Sequence, residues 1–135
     1  MFSEQVPPNS LEAEQAIIGA CLLSPLGRMT CVQQLKPADF YSETHRRIFE
    51  VILELDAAGP VEPYLVADRL EALGRLEECG GISYLMTCIN VCISPDVPDG
   101  LVALVREKAA RRRLITALTR ARSMAQDESL PLDEV

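Results

Sequence analysis

The stretch Pro7-Pro8-Asn9-Ser10-Leu11-Glu12-Ala13-Glu14-Gln15-Ala16-Ile17-Ile18-Gly19 decides the fold, because it has the pattern of a capped helix start. The side chain of Asn9 or Ser10 can accept a hydrogen bond from the free amides of a first turn, and Glu12 is favourable at the positive end of a helix. Apolar residues then recur at helical spacing at Leu11, Ile17, Ile18, Cys21 and Leu22, with a polar side formed by Glu12, Glu14 and Gln15. The pattern predicts a first helix over about 10–23.

Serine, proline and glycine residues divide the rest of the chain into further helices. Ser24-Pro25 ends the first helix and begins a second, and Ser42 begins the third, which Gly59 closes. Apolar spacing places a fourth helix around Leu65 to Leu73, ending at Gly74. The predicted second, third, fifth and sixth helices cover about 25–35, 42–58, 82–91 and 101–125. Because no alternating β-branched run is longer than three or four residues, the fold class is all-α.

Composition bounds the class of protein. The chain has 135 residues, of which 48% are hydrophobic and 24% charged, as expected for one globular domain. The longest apolar run, 16–23, is too short for a membrane span, and residues 1–9 do not form a secretory signal. The five cysteines show no paired metal-binding spacing, so we expect reduced, buried thiols. These features predict a cytoplasmic protein without membrane contact.

The last helix is longer than the bundle requires. A helix of about 25 residues spans roughly 37 Å, so its far end is expected to project from a head of about five helices. Apolar residues that project in this way require a partner. The residues concerned are Leu114, Ile115, Leu118 and Ala121.

Charge is distributed unevenly. The net charge is −7, but 106–122 contains seven basic residues and one acid, a net charge of +6. Three interpretations of Arg111-Arg112-Arg113 stay open: a solvated helix surface, a site for an acidic protein or sister subunit, or a phosphate site for DNA. The basic stretch contains no aromatic residue, which disfavours single-stranded DNA. Weak or absent DNA binding is therefore expected.

Sequence patterns for catalysis are missing. No GxxxxGK[ST] motif occurs, so this segment has no nucleotide-binding P-loop. His45 is the single histidine, and its place one turn before Phe49 on an apolar helix predicts a packing or hydrogen-bonding role. The carboxylates Glu12 and Glu14 are explained by solvation or capping. We therefore expect no catalytic, cofactor or metal site.

Four ordered blocks carry a family resemblance. The opening stretch 7–19, Phe40-Tyr41 with His45, Ile48 and Phe49, the segment 74–85 with Gly80-Gly81 and Tyr84-Leu85, and 105–115 closely resemble the N-terminal domain of bacterial replicative DNA helicases of the DnaB type. They cover most of residues 7–122. Two departures are Pro98-Asp99-Gly100-Leu101 at the entry to the last helix and Pro63-Tyr64-Leu65 at the start of the fourth.

The resemblance implies an architecture and partners. It implies a helical head at 1–96, the first helix of a dimerisation hairpin at 97–126, and an acidic, truncated linker at 127–135. It also implies homo-oligomers, as a dimer or a trimer of dimers in a hexameric helicase, docking of the primase C-terminal domain, and contact with a helicase loader. ATP and magnesium would belong to a separate motor domain.

Site residues follow from positions within the matching blocks. The predicted primase-facing residues are Glu12, Tyr84, Arg112 and Ile115, and the predicted subunit interface is Leu114, Ile115, Leu118 and Ala121. The function implied is a noncatalytic assembly and primase-interaction domain of a 5′–3′ helicase. The alternatives are a stand-alone adaptor that regulates a helicase and a small helical DNA-binding module.

Overall fold

The computed structural model describes residues 6–134, and every regular element in that range is helical. The all-α prediction is confirmed, and the helix boundaries lie within two residues of those predicted. The helices are α1 (Leu11–Leu23), α2 (Pro25–Gln34), α3 (Glu43–Ala58), α4 (Pro63–Ala72), α5 (Gly81–Val91) and α6 (Asp99–Gln126). Short 3-10 helices occupy Pro37–Asp39 and Leu132–Glu134.

Serine caps set the helix starts. The Ser10 hydroxyl accepts from the amide of Ala13 at 3.3 Å and begins α1, so Ser10 and not Asn9 is the cap. Ser24 caps α2 through Gly27, and Ser42 caps α3 through His45. Each cap satisfies an amide that the first turn leaves without a partner, which is why these boundaries are encoded locally.

Helix α1 occupies the centre of the head and packs against α2, α3, α5 and α6. Between Ala13 and Leu22 only Gln15 is even partly exposed. The prediction of a solvated polar side is therefore wrong at Glu14, whose exposure is 1%. A helix with neighbours on several sides has little surface left for a solvated face, so this carboxylate requires partners inside the protein.

Helix α6 has two distinct halves. Its first half packs on the head through the buried residues Val102, Val105 and Ala109, whereas every residue from Arg113 to Ser123 is exposed. With 28 residues, α6 is roughly 42 Å long, and its second half extends beyond the head. No helix within residues 6–134 is both long enough and apolar enough to cross a membrane.

The division into head, hairpin helix and linker stays a prediction. Its outer limits, residues 1–5 and Val135, lie outside the residues described.

All five cysteines are free thiols, and four of them are buried.

Two glycines permit the end of α5 and the loop after it to pack closely on α1 and α2. A Cβ on Gly27 would overlap the backbone oxygen of Pro95, and one on Gly19 would overlap the backbone oxygen of Cys88. The same contact is held by a hydrogen bond from the Ser24 hydroxyl to Asp96 at 2.5 Å. The loop between α5 and α6 therefore lies directly on the start of α2, and this contact fixes where α6 begins.

We predict that Gly27→Ala destabilises the domain by about 1–3 kcal/mol, because neither backbone at this contact can move away from the added methyl group. Gly100→Ala is the matched control: Gly100 is helical with open space around its Cβ position, so alanine should be neutral or stabilising by up to about 1 kcal/mol. Urea unfolding measures both. Equal stability of the Gly27 variant and the wild type would contradict the close contact.

Candidate functional site

A buried carboxylate joins α1 to the start of α3. Glu14 accepts hydrogen bonds from the backbone amides of Tyr41 at 2.7 Å and Ser42 at 3.2 Å. These amides precede the first turn of α3, where a helix favours negative charge. Glu14 therefore acts as a cap for α3, supplied by a different helix.

His45 extends this network to α5. Its Nδ1 lies 2.7 Å from the Glu14 carboxylate, and its Nε2 lies 2.5 Å from the hydroxyl of Tyr84. The side-chain amide of Gln15 donates to the same hydroxyl at 3.1 Å. One tautomer satisfies all groups: Nδ1–H donates to Glu14, Nε2 accepts from Tyr84, and the Tyr84 oxygen accepts from Gln15. The packing or hydrogen-bonding role predicted for His45 is confirmed, as hydrogen bonding.

The electrostatics of the network favour an ionised carboxylate. Burial alone would raise the pKa of Glu14, but hydrogen bonds from His45, Tyr41 and Ser42 outweigh it and lower the pKa below its ordinary value of 4.5. Burial raises the pKa of the Tyr84 phenol, so it stays protonated and can donate. Glu14 and His45 are 1% and 2% exposed, and no substrate can reach them. The network joins α1, α3 and α5 inside the head.

Arg112 fastens α6 to the segment before α1 and to the turn before α3. Its guanidinium donates to the backbone oxygens of Pro8 and Asp39, both at 2.8 Å, and lies 5.5 Å from the centre of the Tyr41 ring. Burial lowers the pKa of Arg112, and the negative charges of Glu14 and Asp39 oppose that shift in part. Arg111 and Arg113 also form ion pairs within the domain, with Glu107 and Asp39, but their side chains are 61% and 66% exposed, whereas Arg112 is partly buried.

A basic groove lies where α6 leaves the head. It has a volume of about 550 Å³ between α6 and the turn at 37–41. Arg46, Arg112, Arg113 and Arg120 line it, together with Ala38, Ala109 and Ala117. A second hollow of about 400 Å³ adjoins it and is lined in part by Lys36, Arg106 and Arg113. We call the first hollow the basic groove.

The predicted subunit interface is exposed on one side of α6. Leu114, Ile115 and Leu118 are 60%, 48% and 60% exposed, and Ala121 is exposed beside them. By helix geometry Leu118 lies nearly opposite Thr116 and Arg120, which line the basic groove. We call Leu114, Ile115, Leu118 and Ala121 the apolar stripe. Nothing in the described chain covers it.

The predicted primase-facing residues do not form one patch of equally free side chains. Glu12 is exposed on α1, and Ile115 belongs to the apolar stripe. Tyr84 is half-buried and bound to His45, and Arg112 is bound to Pro8 and Asp39. Their assignment to primase stays a prediction.

Sequence reasoning missed the role of Glu14. One signal was present: Glu14 shares a helix face with Ile17, Ile18 and Cys21, three, four and seven positions later, which are all buried. A carboxylate on such a face predicts a buried partner, and the only histidine of the chain was the obvious candidate.

The fold and these features define an all-helical domain with a structural polar network and an uncovered helix. Comparison with known proteins identifies its family. Residues 6–107 match the family model described as the DnaB-like helicase N terminal domain. The chain belongs to this family.

Relatives support this membership over the whole chain. The chain is 38% identical to the replicative DNA helicase DnaB of Geobacillus stearothermophilus and 36% identical to the replicative DNA helicase DnaC of Bacillus subtilis, in each case over 100% of its length. It spans 29% of each of those proteins. The crystal structure of the N-terminal domain of DnaB helicase from Mycobacterium tuberculosis superposes with a TM-score of 0.90 at 32% identity, covering 95% of this chain and 92% of that one.

The P-loop motif is absent from these 135 residues, so the segment corresponds to the N-terminal domain of a helicase without its motor. The resemblance and the fold class inferred from the sequence are both confirmed.

We predict that Glu14→Gln lowers stability by about 1–3 kcal/mol at pH 7, because the amide group of glutamine cannot accept from every donor that faces Glu14. The native pKa of Glu14 is depressed, so its contribution is fully present above about pH 4.5 and is lost as the pH falls through the native value. The difference between wild type and variant should therefore shrink on acidification. Urea unfolding across a pH series measures it.

The control is Glu12→Gln, two residues away and exposed, which removes a favourable charge from the first turn of α1 and should lower stability by less than about 1 kcal/mol. Parallel stability curves for the wild type and the Glu14 variant down to pH 3 would show that the carboxylate makes no such contribution.

Proposed function

We propose that the chain is a noncatalytic assembly domain of a hexameric replicative helicase, which pairs with copies of itself and docks primase. The observation that carries the proposal is the apolar stripe on the projecting half of α6. Three large aliphatic side chains in adjacent turns are about half exposed or more. Within residues 6–134, no residue of the head covers these side chains.

Burial of this stripe supplies a driving force for pairing. Fully burying a leucine contributes on the order of 1.5–3 kcal/mol, so covering one that is 60% exposed contributes roughly 1–2 kcal/mol, and a two-fold interface covers every residue of the stripe twice. The gain is enough to offset the cost of association when the helices pack side by side. Pairs of this kind can build a trimer of dimers, which is the assembly proposed for the full-length protein.

Primase docking is the second part of the proposal. Glu12 and Ile115 are exposed and can contact a partner directly. Tyr84 and Arg112 would position the neighbouring surfaces, because both are engaged within the domain. We place helicase activity, ATP and magnesium in a separate motor domain, the protein in the cytoplasm, and a helicase loader among its partners.

A DNA-binding module is the second candidate, and the basic groove is the observation that favours it. Four arginines line that groove. Against it stands the net charge of −7, which repels an extended polyanion from most of the surface. We favour a protein partner.

We predict that Leu118→Asp weakens self-association at least tenfold, because a carboxylate would be buried in the interface. Folding stability should change by less than about 1 kcal/mol, since Leu118 is 60% exposed in the single chain. Ile93→Asp is the control: Ile93 is 93% exposed in the loop before α6 and lies outside the stripe. Sedimentation equilibrium distinguishes them. A wild-type chain that stays monomeric at high concentration would disprove the assembly role.

For primase, we expect the isolated C-terminal domain of the cognate primase to bind the chain, and Glu12→Arg to weaken binding about tenfold through charge reversal at the contact. Glu71→Arg, an equally exposed change on α4, should bind like the wild type. Titration calorimetry measures the three affinities. Equal affinity for all three chains would show that Glu12 does not contact primase. If the wild-type chain does not bind primase at all, the primase part of the proposal is wrong.

A further inference from the structure

We propose that the basic side of α6 binds an extended acidic segment of a partner protein, in which carboxylates recur at every third residue. The site consists of the basic groove and the hollow that adjoins it, which share Ala38 and Arg113 as lining residues. We call the two hollows together the basic track. By helix geometry, its arginines lie across α6 from Ile115 and Leu118, so pairing through the apolar stripe leaves the track open.

The basic track concentrates positive charge in an acidic protein. Its lining includes six cationic side chains and a single acid, Asp39, whereas the whole chain has a net charge of −7. The cations are Lys36, Arg46, Arg106, Arg112, Arg113 and Arg120. Like charges held this close repel one another, and a bound anionic ligand relieves that repulsion. Charge complementarity therefore specifies an acidic partner.

Three of these cations form a row that is available to a ligand. Arg106, Arg113 and Arg120 are seven residues apart, so they lie on one side of α6 at intervals of about 10.5 Å. Arg106 and Arg120 are exposed and form no ion pair within residues 6–134. Arg113 pairs with Asp39 at 3.3 Å, but its side chain is 66% exposed, and an ion pair at the surface contributes little to stability. All three guanidinium groups can therefore bind carboxylates of a partner.

Two other arginines of the track are held in place by the domain itself. Arg46 donates to the backbone oxygen of Phe40 at 2.7 Å, and Arg112 donates to those of Pro8 and Asp39. Because these side chains are already ordered, they add positive charge with little further loss of conformational entropy when a ligand binds. The three alanines that line the groove leave room for the main chain of a peptide.

The row of arginines is extended, and this determines the form of the ligand. From Arg106 to Arg120 it covers about 21 Å of helix, so a compact anion is too short to neutralise the whole row. A peptide in the polyproline II conformation has three residues per turn and rises about 3.1 Å per residue, which places every third side chain on the same side at intervals of about 9.3 Å. The flexible arginine side chains can absorb the small difference from about 10.5 Å. Carboxylates at every third residue can therefore pair with all three arginines.

A nucleic acid fits the track less well, although it also carries a row of anionic groups. Single-stranded nucleic acids bind through bases stacked on exposed aromatic rings. The aromatic residue that lines the track is Tyr41, and the guanidinium of Arg112 lies over its ring at 5.5 Å. The acidic remainder of the protein repels a polyanion longer than the track. A short acidic segment of a protein meets neither obstacle.

The probe that tests the site is a fluorescein-labelled peptide of four Asp-Ser-Pro repeats, in which proline favours the polyproline II conformation. Fluorescence anisotropy measures its affinity for the chain. Arg106→Glu with Arg120→Glu should weaken binding by about tenfold or more, because it places carboxylates at both ends of the row. The affinity of the wild type should also fall as the salt concentration rises.

A matched control variant carries Arg111→Glu with Arg122→Glu, which changes the net charge by the same amount on the opposite side of α6. It should weaken binding by less than about threefold, through the change in net charge alone. A control peptide has the same residues with its four aspartates adjacent, and it should bind several times more weakly than the repeat peptide.

Circular dichroism checks that both double variants retain the fold. If charge reversal at Arg106 and Arg120 disturbs it, the pair Arg106→Gln with Arg120→Gln removes the two charges without adding new ones. That variant should still weaken peptide binding by about threefold or more.

Other occupants of the track give different results, and each would overturn the proposal. Equal weakening in the two charge-reversed variants would show a response to net charge alone. Inorganic triphosphate that displaces the repeat peptide as effectively as unlabelled peptide would identify a site for compact anions. A twelve-nucleotide oligothymidylate that binds more tightly than the peptide at the same salt concentration would identify a nucleic-acid surface.

Two further results would also overturn it. One is a wild-type chain that does not bind the repeat peptide. The other is a full-length helicase that does not bind the peptide although the shorter chain does, because another part of the helicase would then cover the track. Each of these outcomes leaves pairing through the apolar stripe unaffected, so the failure of this site is distinguishable from failure of the proposed function.

Discussion

The Glu14 carboxylate is the interaction on which the rest of the head depends. It is nearly fully buried, and it meets two backbone amides of the turn before α3 and the ring of His45. An unpaired charge at this depth would cost several kcal/mol, so α1, that turn and α3 can pack only in the arrangement that supplies these donors. A purely apolar contact between two helices tolerates sliding, whereas this network fixes their relative position.

The turn at 37–41 connects the Glu14 network to α6, because it contacts both Glu14 and Arg112. One of its residues, Tyr41, donates its amide to Glu14 and places its ring beneath Arg112, while Arg112 also holds the backbone oxygens of Asp39 and Pro8. The buried network and the base of the projecting helix are therefore two sides of one short segment. The direction in which the apolar stripe leaves the head follows from this connection.

Local patterns made the helices predictable, and long-range contacts made the site difficult to predict. Ser10, Ser24 and Ser42 act within three residues of themselves, so the sequence reveals the helix starts directly. Glu14 finds its partners 27 to 31 positions away, and Arg112 finds Pro8 104 positions away. Exposure of Ile115 and Leu118 was predictable because helix length alone carries them past the head. The basic groove was not, since its walls come from separate parts of the chain.

The two halves of α6 satisfy opposite requirements. Val102, Val105 and Ala109 must be buried for the head to be stable, and they are small enough to lie close to α1. Beyond Arg112, larger aliphatic side chains occupy one face, and Arg113, Arg120 and small residues occupy the other. Exposing the arginines to water costs little free energy, whereas exposing a row of large aliphatic side chains is unfavourable. The apolar face is therefore the least favourable part of this helix in water, and covering it would lower the free energy of the helix.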